Sequence, residues 1–179
     1  MKRSLVVLCV IGMIVSSTIL AQVSAPAANP LIGTWKQNME KSTYSHGPPP
    51  LKGMGAVRQY AAGADGSIVA VTFNIDPQGL PSLGAVAAAN YDGKEYAQHT
   101  IATLAASLGS HIGPKVERTI AYKPTNQFTV EIVQREDGQV VSMSTRTMSR
   151  DGKTMTERVD YTDPVRGIRV NNVLVFEKQ

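Results

Sequence analysis

At 179 residues, with 42% hydrophobic and 18% charged content, the chain has the size and composition of one globular domain. Its formal charge of +4 is spread over residues of both signs without a basic run, and only 6% of residues are aromatic, which excludes the basic stripe and stacking aromatics of a nucleic-acid binder. The single cysteine, Cys9, lies in the first apolar stretch, so whatever remains after that stretch is removed has no disulfide, no thiolate metal ligand and no cysteine nucleophile.

The N-terminus reads as a secretory signal. Lys2 and Arg3 form a positive n-region, Leu5 to Val15 is nearly unbroken apolar sequence, and small residues follow. Cleavage fits after Ala21 or after Ala25. The second would leave Pro26 first, a rigid ring that fits an extended protease cleft poorly, so Ala21 is favoured. The expected layout is residues 1–21 as signal peptide, 22–30 as an Ala/Pro/Ser-rich leader and 31–179 as one domain. No second hydrophobic segment follows, so no stable membrane span is expected after cleavage. Losing Lys2 and Arg3 takes the basic count from 18 to 16 against 14 acidic residues, a mature charge of +2.

From Leu31 onward the chain is strand-like runs separated by hairpin chemistry. Asp65-Gly66, Asp92-Gly93, Asp137-Gly138 and Asp151-Gly152 each stand between such runs, and Asp76-Pro77-Gln78-Gly79 is a fifth turn. Asp-Gly supplies the positive φ that tight hairpins need, so sequential strands pair as neighbours in a meander. Two segments interrupt the pattern. Met39 to Gly55 carries Pro48-Pro49-Pro50 and reads as a long loop, because proline donates no ladder bond. Ile101, Leu104, Ala105, Leu108 and Ile112 recur at helical spacing and predict a short helix over 101–112, against a distorted strand as the other reading.

The flanking runs alternate. Val69, Val71, Phe73 and Ile75 share a face, as do Phe128, Val130 and Ile132. Val141, Met143, Thr145 and Thr147 make a third set, Met155, Val159 and Tyr161 a fourth, and Ile168, Val170, Leu174 and Phe176 a fifth. Apolar residues at period two require a sheet with one dry face, and with so little helix to cover it closure into a barrel is the economical answer. The expected fold is therefore all-β: an antiparallel up-and-down meander of about 8–10 strands closed into a barrel. A two-sheet sandwich is the rival.

Gly33-Thr34-Trp35, on the first strand, is the Gly-X-Trp pattern of lipocalins and their calycin relatives. Further phrases make the chain resemble, more closely, a group of small exported bacterial lipocalin-like proteins. They are Gly33 to Asn38, Lys41-Ser42, Gly47-Pro48-Pro49-Pro50, Tyr91-Asp92-Gly93-Lys94-Glu95-Tyr96, Ser149 to Thr156, Asn171-Asn172-Val173 and Phe176 to Gln179. The resemblance covers nearly all of residues 31–179 and implies a lipocalin-like barrel and a periplasmic or secreted location. A full lipocalin also has an arginine late in the barrel packed across the tryptophan, for which Arg169 is the candidate by position.

Candidate site residues follow from the alternation. Trp35 reads first as the core plug of one barrel end and second as a ligand contact. Arg118 shares a face with Val116, Ile120 and Tyr122, and Glu157 shares one with Met155, Val159 and Tyr161, so both charges are expected inside. A buried charge needs a partner: Arg118 and Glu157 pair with each other, or a bulge turns them out, or they anchor a ligand, Arg118 gripping a carboxylate or phenolate. The candidate ligand-binding set is Arg118, Tyr122, Glu157, Tyr161, Phe73 and Trp35. Leu83, Ala85, Ala87 and Ala89 add a wall of small residues that leaves room for a ligand or for a plug. His46, His99 and His111 lack metal-ligand spacing and no nucleophile motif is present, so no metal, no cofactor and no enzyme activity are expected. The expected function is that of an exported monomer binding a small hydrophobic or amphipathic molecule inside the barrel. The alternative is an envelope structural or protein-interaction module with a filled barrel.

Overall fold

The computed structural model describes residues 29–46, 50–101, 116–162 and 167–179. The signal peptide and nearly all of the leader, Pro48 and Pro49 of the proline loop, His111 and, apart from Ile101, the helix expected over 101–112 lie outside the described residues.

Ten antiparallel strands run in sequence order: β1 Gly33–Thr43, β2 Gly55–Ala62, β3 Ile68–Ile75, β4 Pro81–Ala89, β5 Glu95–His99, β6 Arg118–Asn126, β7 Thr129–Glu136, β8 Gln139–Met148, β9 Thr154–Thr162 and β10 Arg169–Lys178. Each pairs with its sequence neighbours, and β1 also pairs with β10, with Trp35 opposite Lys178, so the sheet closes into a barrel and the sandwich is excluded. Closure removes the free edges that an open meander would leave.

All five expected turns are present, and two kinds of chemistry make them. Four use a carboxylate as a local acceptor. Asp65, Asp92 and Asp151 each accept from the N–H two residues on, and Asp76 accepts from Gln78 and Leu80. The fifth, between β7 and β8, is a two-residue turn with Asp137 at φ 47° and Gly138 at φ 80°. Two successive positive φ values give the turn whose twist matches that of the strands it joins.

The strands set up two ends. At one, Trp35, Phe176 and Met155 are wholly buried and pack with Leu31, Tyr60 and Ile68. The Trp35 Nε1 donates to the Leu31 carbonyl at 2.8 Å, tying the segment before β1 across this end. A second buried group, from Ala87, Ala89, Ile120, Tyr122, Val130 and Ile132, lines the opposite wall. The β3–β4 and β7–β8 turns lie at the other end.

Two of the expected faces are inverted. On β3 it is Ala70, Thr72 and Asn74 that line the interior, so Val69, Val71, Phe73 and Ile75 point outward. On β8 the interior takes Ser144 and Arg146, while Val141 and Met143 are exposed. Alternation specifies that two faces differ; it does not say which is dry when the barrel interior is itself polar. A register shift between Thr72 and Phe73 inserts an extra residue at Gly84, so Leu83 pairs with Phe73 on the outer side while Ala85 and Ala87 line the interior. A Cβ on Gly84 would lie 3.0 Å from the Asn74 Nδ2 and 3.2 Å from the Thr72 carbonyl oxygen, which suits glycine to the bulge.

Candidate functional site: a polar cavity with a buried charge cluster

Above the Trp35 end the barrel holds a cavity of about 340 Å³. Its walls come from most of the strands: Arg58 and Tyr60 on β2, Thr72 and Asn74 on β3, Ala85 and Ala87 on β4, Gln98 on β5, Ile120 and Tyr122 on β6, Ile132 and Gln134 on β7, and Ser144, Glu157 and Leu174 further round. The lining is as much polar as apolar. Gln134 Nε2 donates to the Gln98 side-chain oxygen at 3.2 Å, linking β7 to β5.

At the base of this cavity sits a cluster of three charges. Glu157 receives Arg58 through both terminal nitrogens, and it receives Arg146 through Nε at 3.1 Å and Nη2 at 3.0 Å. Ser144 Oγ adds a longer bond at 3.4 Å. The side chains of Arg146 and Glu157 are 5% and 7% exposed, and that of Arg58 is 13% exposed. Burial alone would push the Glu157 carboxyl pKa up; the two guanidinium groups outweigh it and bring the pKa down from 4.5 to about 2. Glu157 is therefore ionised, and both arginines are charged.

Aromatic rings support the cations. The Arg58 guanidinium lies 4.4 Å from the centroid of the Phe176 ring, and Arg146 lies 5.1 Å from Tyr60 and 5.7 Å from Tyr122. Arg146 Nη1 donates to the Tyr91 hydroxyl at 3.3 Å, and Tyr91 stacks on Tyr122 with centroids 4.7 Å apart. Burial pushes the Tyr122 hydroxyl pKa up to about 12 and raises that of Tyr91 as well, so these two phenols are neutral near pH 7. A smaller cavity of about 230 Å³ lies on the other side of Arg146, bounded by Leu31, Tyr91, Phe128 and Met148.

The six candidate residues are not gathered at one site. Glu157 and Tyr122 line the cavity as expected. Trp35 is entirely buried in the end plug and does not line the cavity. Phe73 is on the outer face. Tyr161 is half-buried, opposite Val170 and Ser142, two residues beyond the lining Val159. Arg118 lies at the open end of β6, where its side chain is 37% exposed and pairs with Glu136 at 2.5 Å. The Arg118–Glu157 pair is thus replaced by two others: Glu136 sits across the ladder from Arg118, while Glu157 is claimed by Arg58 and Arg146. Arg169 is exposed and pairs with Asp160, so it does not pack across Trp35. Lys178 takes that place, its Nζ 5.4 Å from the Trp35 ring centroid and donating to the Pro30 carbonyl at 2.7 Å.

Arg58 and Arg146 escaped the sequence reading, although one of them left a trace there. The β8–β9 hairpin pairs Met148 with Met155, and counting back two residues on each strand places Arg146 directly opposite Glu157. Arg58 left no such trace, because β2 and β9 are separated by β1 and β10.

Among the described residues no group of three or more His, Cys, Asp or Glu side chains is placed to hold a metal ion. No helix among them is long and apolar enough to cross a membrane. The class this geometry defines is a closed, ten-stranded antiparallel barrel with a cavity, consistent with a calycin-like fold. No known family model matches the chain, and no curated protein is detectably similar to it.

Proposed function

We propose that the protein is an exported, lipocalin-like, non-enzymatic carrier that holds a small amphipathic molecule inside its barrel, in the periplasm or outside the cell. The observation that carries this reading is the cavity of about 340 Å³ around the Arg58–Glu157–Arg146 cluster. Small-molecule sites are concave, of at least about 300 Å³, and combine apolar walls with a few fixed polar groups. Here Leu174, Ile120, Ile132, Ala85 and Ala87 supply the walls, and Gln98, Gln134 and the charge cluster supply the polar groups. A filled interior would favour the alternative of an envelope structural or interaction module. Export is supported by the Lys2-Arg3 n-region and the apolar run to Val15, and the lipocalin-like assignment by Gly33-Thr34-Trp35 with the phrases that follow it.

The test is native mass spectrometry of protein purified from its source. The expected result is a mature chain beginning at Gln22 that carries a noncovalent adduct released by organic solvent. A ligand-free chain that also fails to take up neutral or charged amphiphiles in titration overturns the reading.

A further inference from the structure

We propose that the cavity is selective for an amphiphilic monoanion of the carboxylate class, whose head group is held against Arg58 at the charge cluster. The proposal rests on the cavity-binding reading above and goes further by naming the ligand's charge and the group that reads it.

The charges of the interior do not balance. Two guanidinium groups, Arg58 and Arg146, face one carboxylate, Glu157. The other charged pairs lie elsewhere and balance themselves, among them Arg118 with Glu136, Arg135 with Glu95, and Arg169 with Asp160. The phenols of Tyr91 and Tyr122 beside the cluster supply no negative charge near pH 7, since burial raises the pKa of both. Among the described residues one positive charge of the cluster therefore has no carboxylate to offset it. A buried charge without a partner is costly, and contacts with ring faces offset only part of that cost.

The hydrogen bonds around the cluster show how fully its one carboxylate is used. Glu157 is saturated: Oε2 receives Arg58 Nη1 and Arg146 Nε, and Oε1 receives Arg58 Nη2 and Ser144 Oγ. Arg58 commits both terminal nitrogens to this carboxylate, yet its Nε is buried with no acceptor among the described residues. An orphaned donor on a charged group is a costly arrangement and adds to the shortage of negative charge around Arg58. Arg58 is in the cavity wall, beside Tyr60 and Tyr122, whose ring bodies and Leu174 give an apolar surface for the tail to follow. A cationic head group would meet the excess positive charge, and a neutral one would leave it uncompensated. A doubly charged anion would leave an excess of the opposite sign.

Three ligands with one tail separate the possibilities: decanoate, decanol and decyltrimethylammonium, titrated calorimetrically into the wild-type mature protein at pH 7. A merely greasy pocket prefers the alcohol, because the carboxylate must shed its hydration. The proposal expects decanoate to bind more tightly than decanol, by about tenfold, and the ammonium to bind weakest. Arg58→Gln leaves one arginine against one carboxylate, so the decanoate-to-decanol affinity ratio should fall by about tenfold or more. Arg58→Lys, which keeps the charge, should restore part of the ratio. Glu157→Gln raises the excess charge, so its ratio should rise. A cluster with a purely structural role moves neither ratio.

Decanol bound as tightly as decanoate by the wild type overturns the head-group proposal and leaves the carrier reading standing. Binding of none of the three overturns both. Should any of the three substitutions prevent folding, the wild-type order of the three head groups decides the matter alone.

Discussion

Glu157 is the residue on which the interior turns. It joins β9 to β8 through Arg146 and to the far wall through Arg58, so one carboxylate links three strands. Its pKa falls on folding, from 4.5 to about 2. A carboxyl of that kind contributes its full stabilisation above its unfolded pKa and loses it as pH drops through the folded value. The share of stability that depends on Glu157 should therefore be constant from neutrality down to about pH 5 and fade between about 4.5 and 2, by on the order of 3 kcal/mol. Urea denaturation followed by the buried Trp35 fluorescence measures it. Glu157→Gln should be less stable at pH 7 by about 3–5 kcal/mol, since two buried cations lose their partner, and should show a shallower acid decline. A wild-type decline over this range matched by Glu157→Gln would remove Glu157 from the account. Glu157 was legible as a charge among apolar neighbours on an alternating strand, and it faces in as the alternation required. Its partners were not both legible. Arg146 can be reached by counting along one hairpin, while Arg58 is near Glu157 only because the barrel closes.

At the scale of the element, turns were the most readable part of the chain. Each Asp-Gly pair acts through local chemistry, by a carboxylate accepting a nearby N–H or by a positive φ, and neither depends on the rest of the fold. The β7–β8 turn isolates the backbone component. Gly138 has φ 80°, and a Cβ there would meet no atom within 4 Å. Gly138→Ala should then cost about 1 kcal/mol through backbone conformation alone, read as a drop in the urea midpoint with an unchanged slope. A change of slope would mean that the hairpin register had moved instead. Face assignment was less readable. Val69, Val71 and Phe73 make a well-formed apolar stripe, yet they lie outside because the opposite stripe, Ala70, Thr72 and Asn74, surrounds a polar cavity. The rule that the greasier face turns inward holds where the interior is filled with side chains; here it is not filled.

For the whole molecule, the ladder is uneven around the barrel. β9 and β10 pair continuously from Thr154 opposite Glu177 to Thr162 opposite Arg169. By contrast, β5 meets β4 only at Val86–His99 and Ala87–Gln98, and meets β6 only from Glu95–Ala121 to Ala97–Thr119. Local opening follows the weakest pairing, so amide hydrogen exchange should be fastest, among the ten strands, in β5 and slowest in β9 and β10. Gln98, whose side chain accepts from Gln134, lines the cavity from that short strand, so opening here would also open the cavity wall. Uniform protection of β5 and β9 would show that the barrel opens only as a unit.

Local chemistry along the chain was enough to settle that the domain is a sequential antiparallel meander and where its tight turns fall, and it favoured closure over a two-sheet sandwich. Each of these depends on neighbours in sequence and on the need of a one-sided sheet to hide its edges. Closure itself decided the rest: which stripe of β3 and β8 faces in, that Lys178 rather than Arg169 lies over Trp35, and that Arg58 meets Glu157 across the barrel. Those depend on residues from strands that are not neighbours, and their spacing is set by the circumference of the barrel rather than by any stretch of sequence.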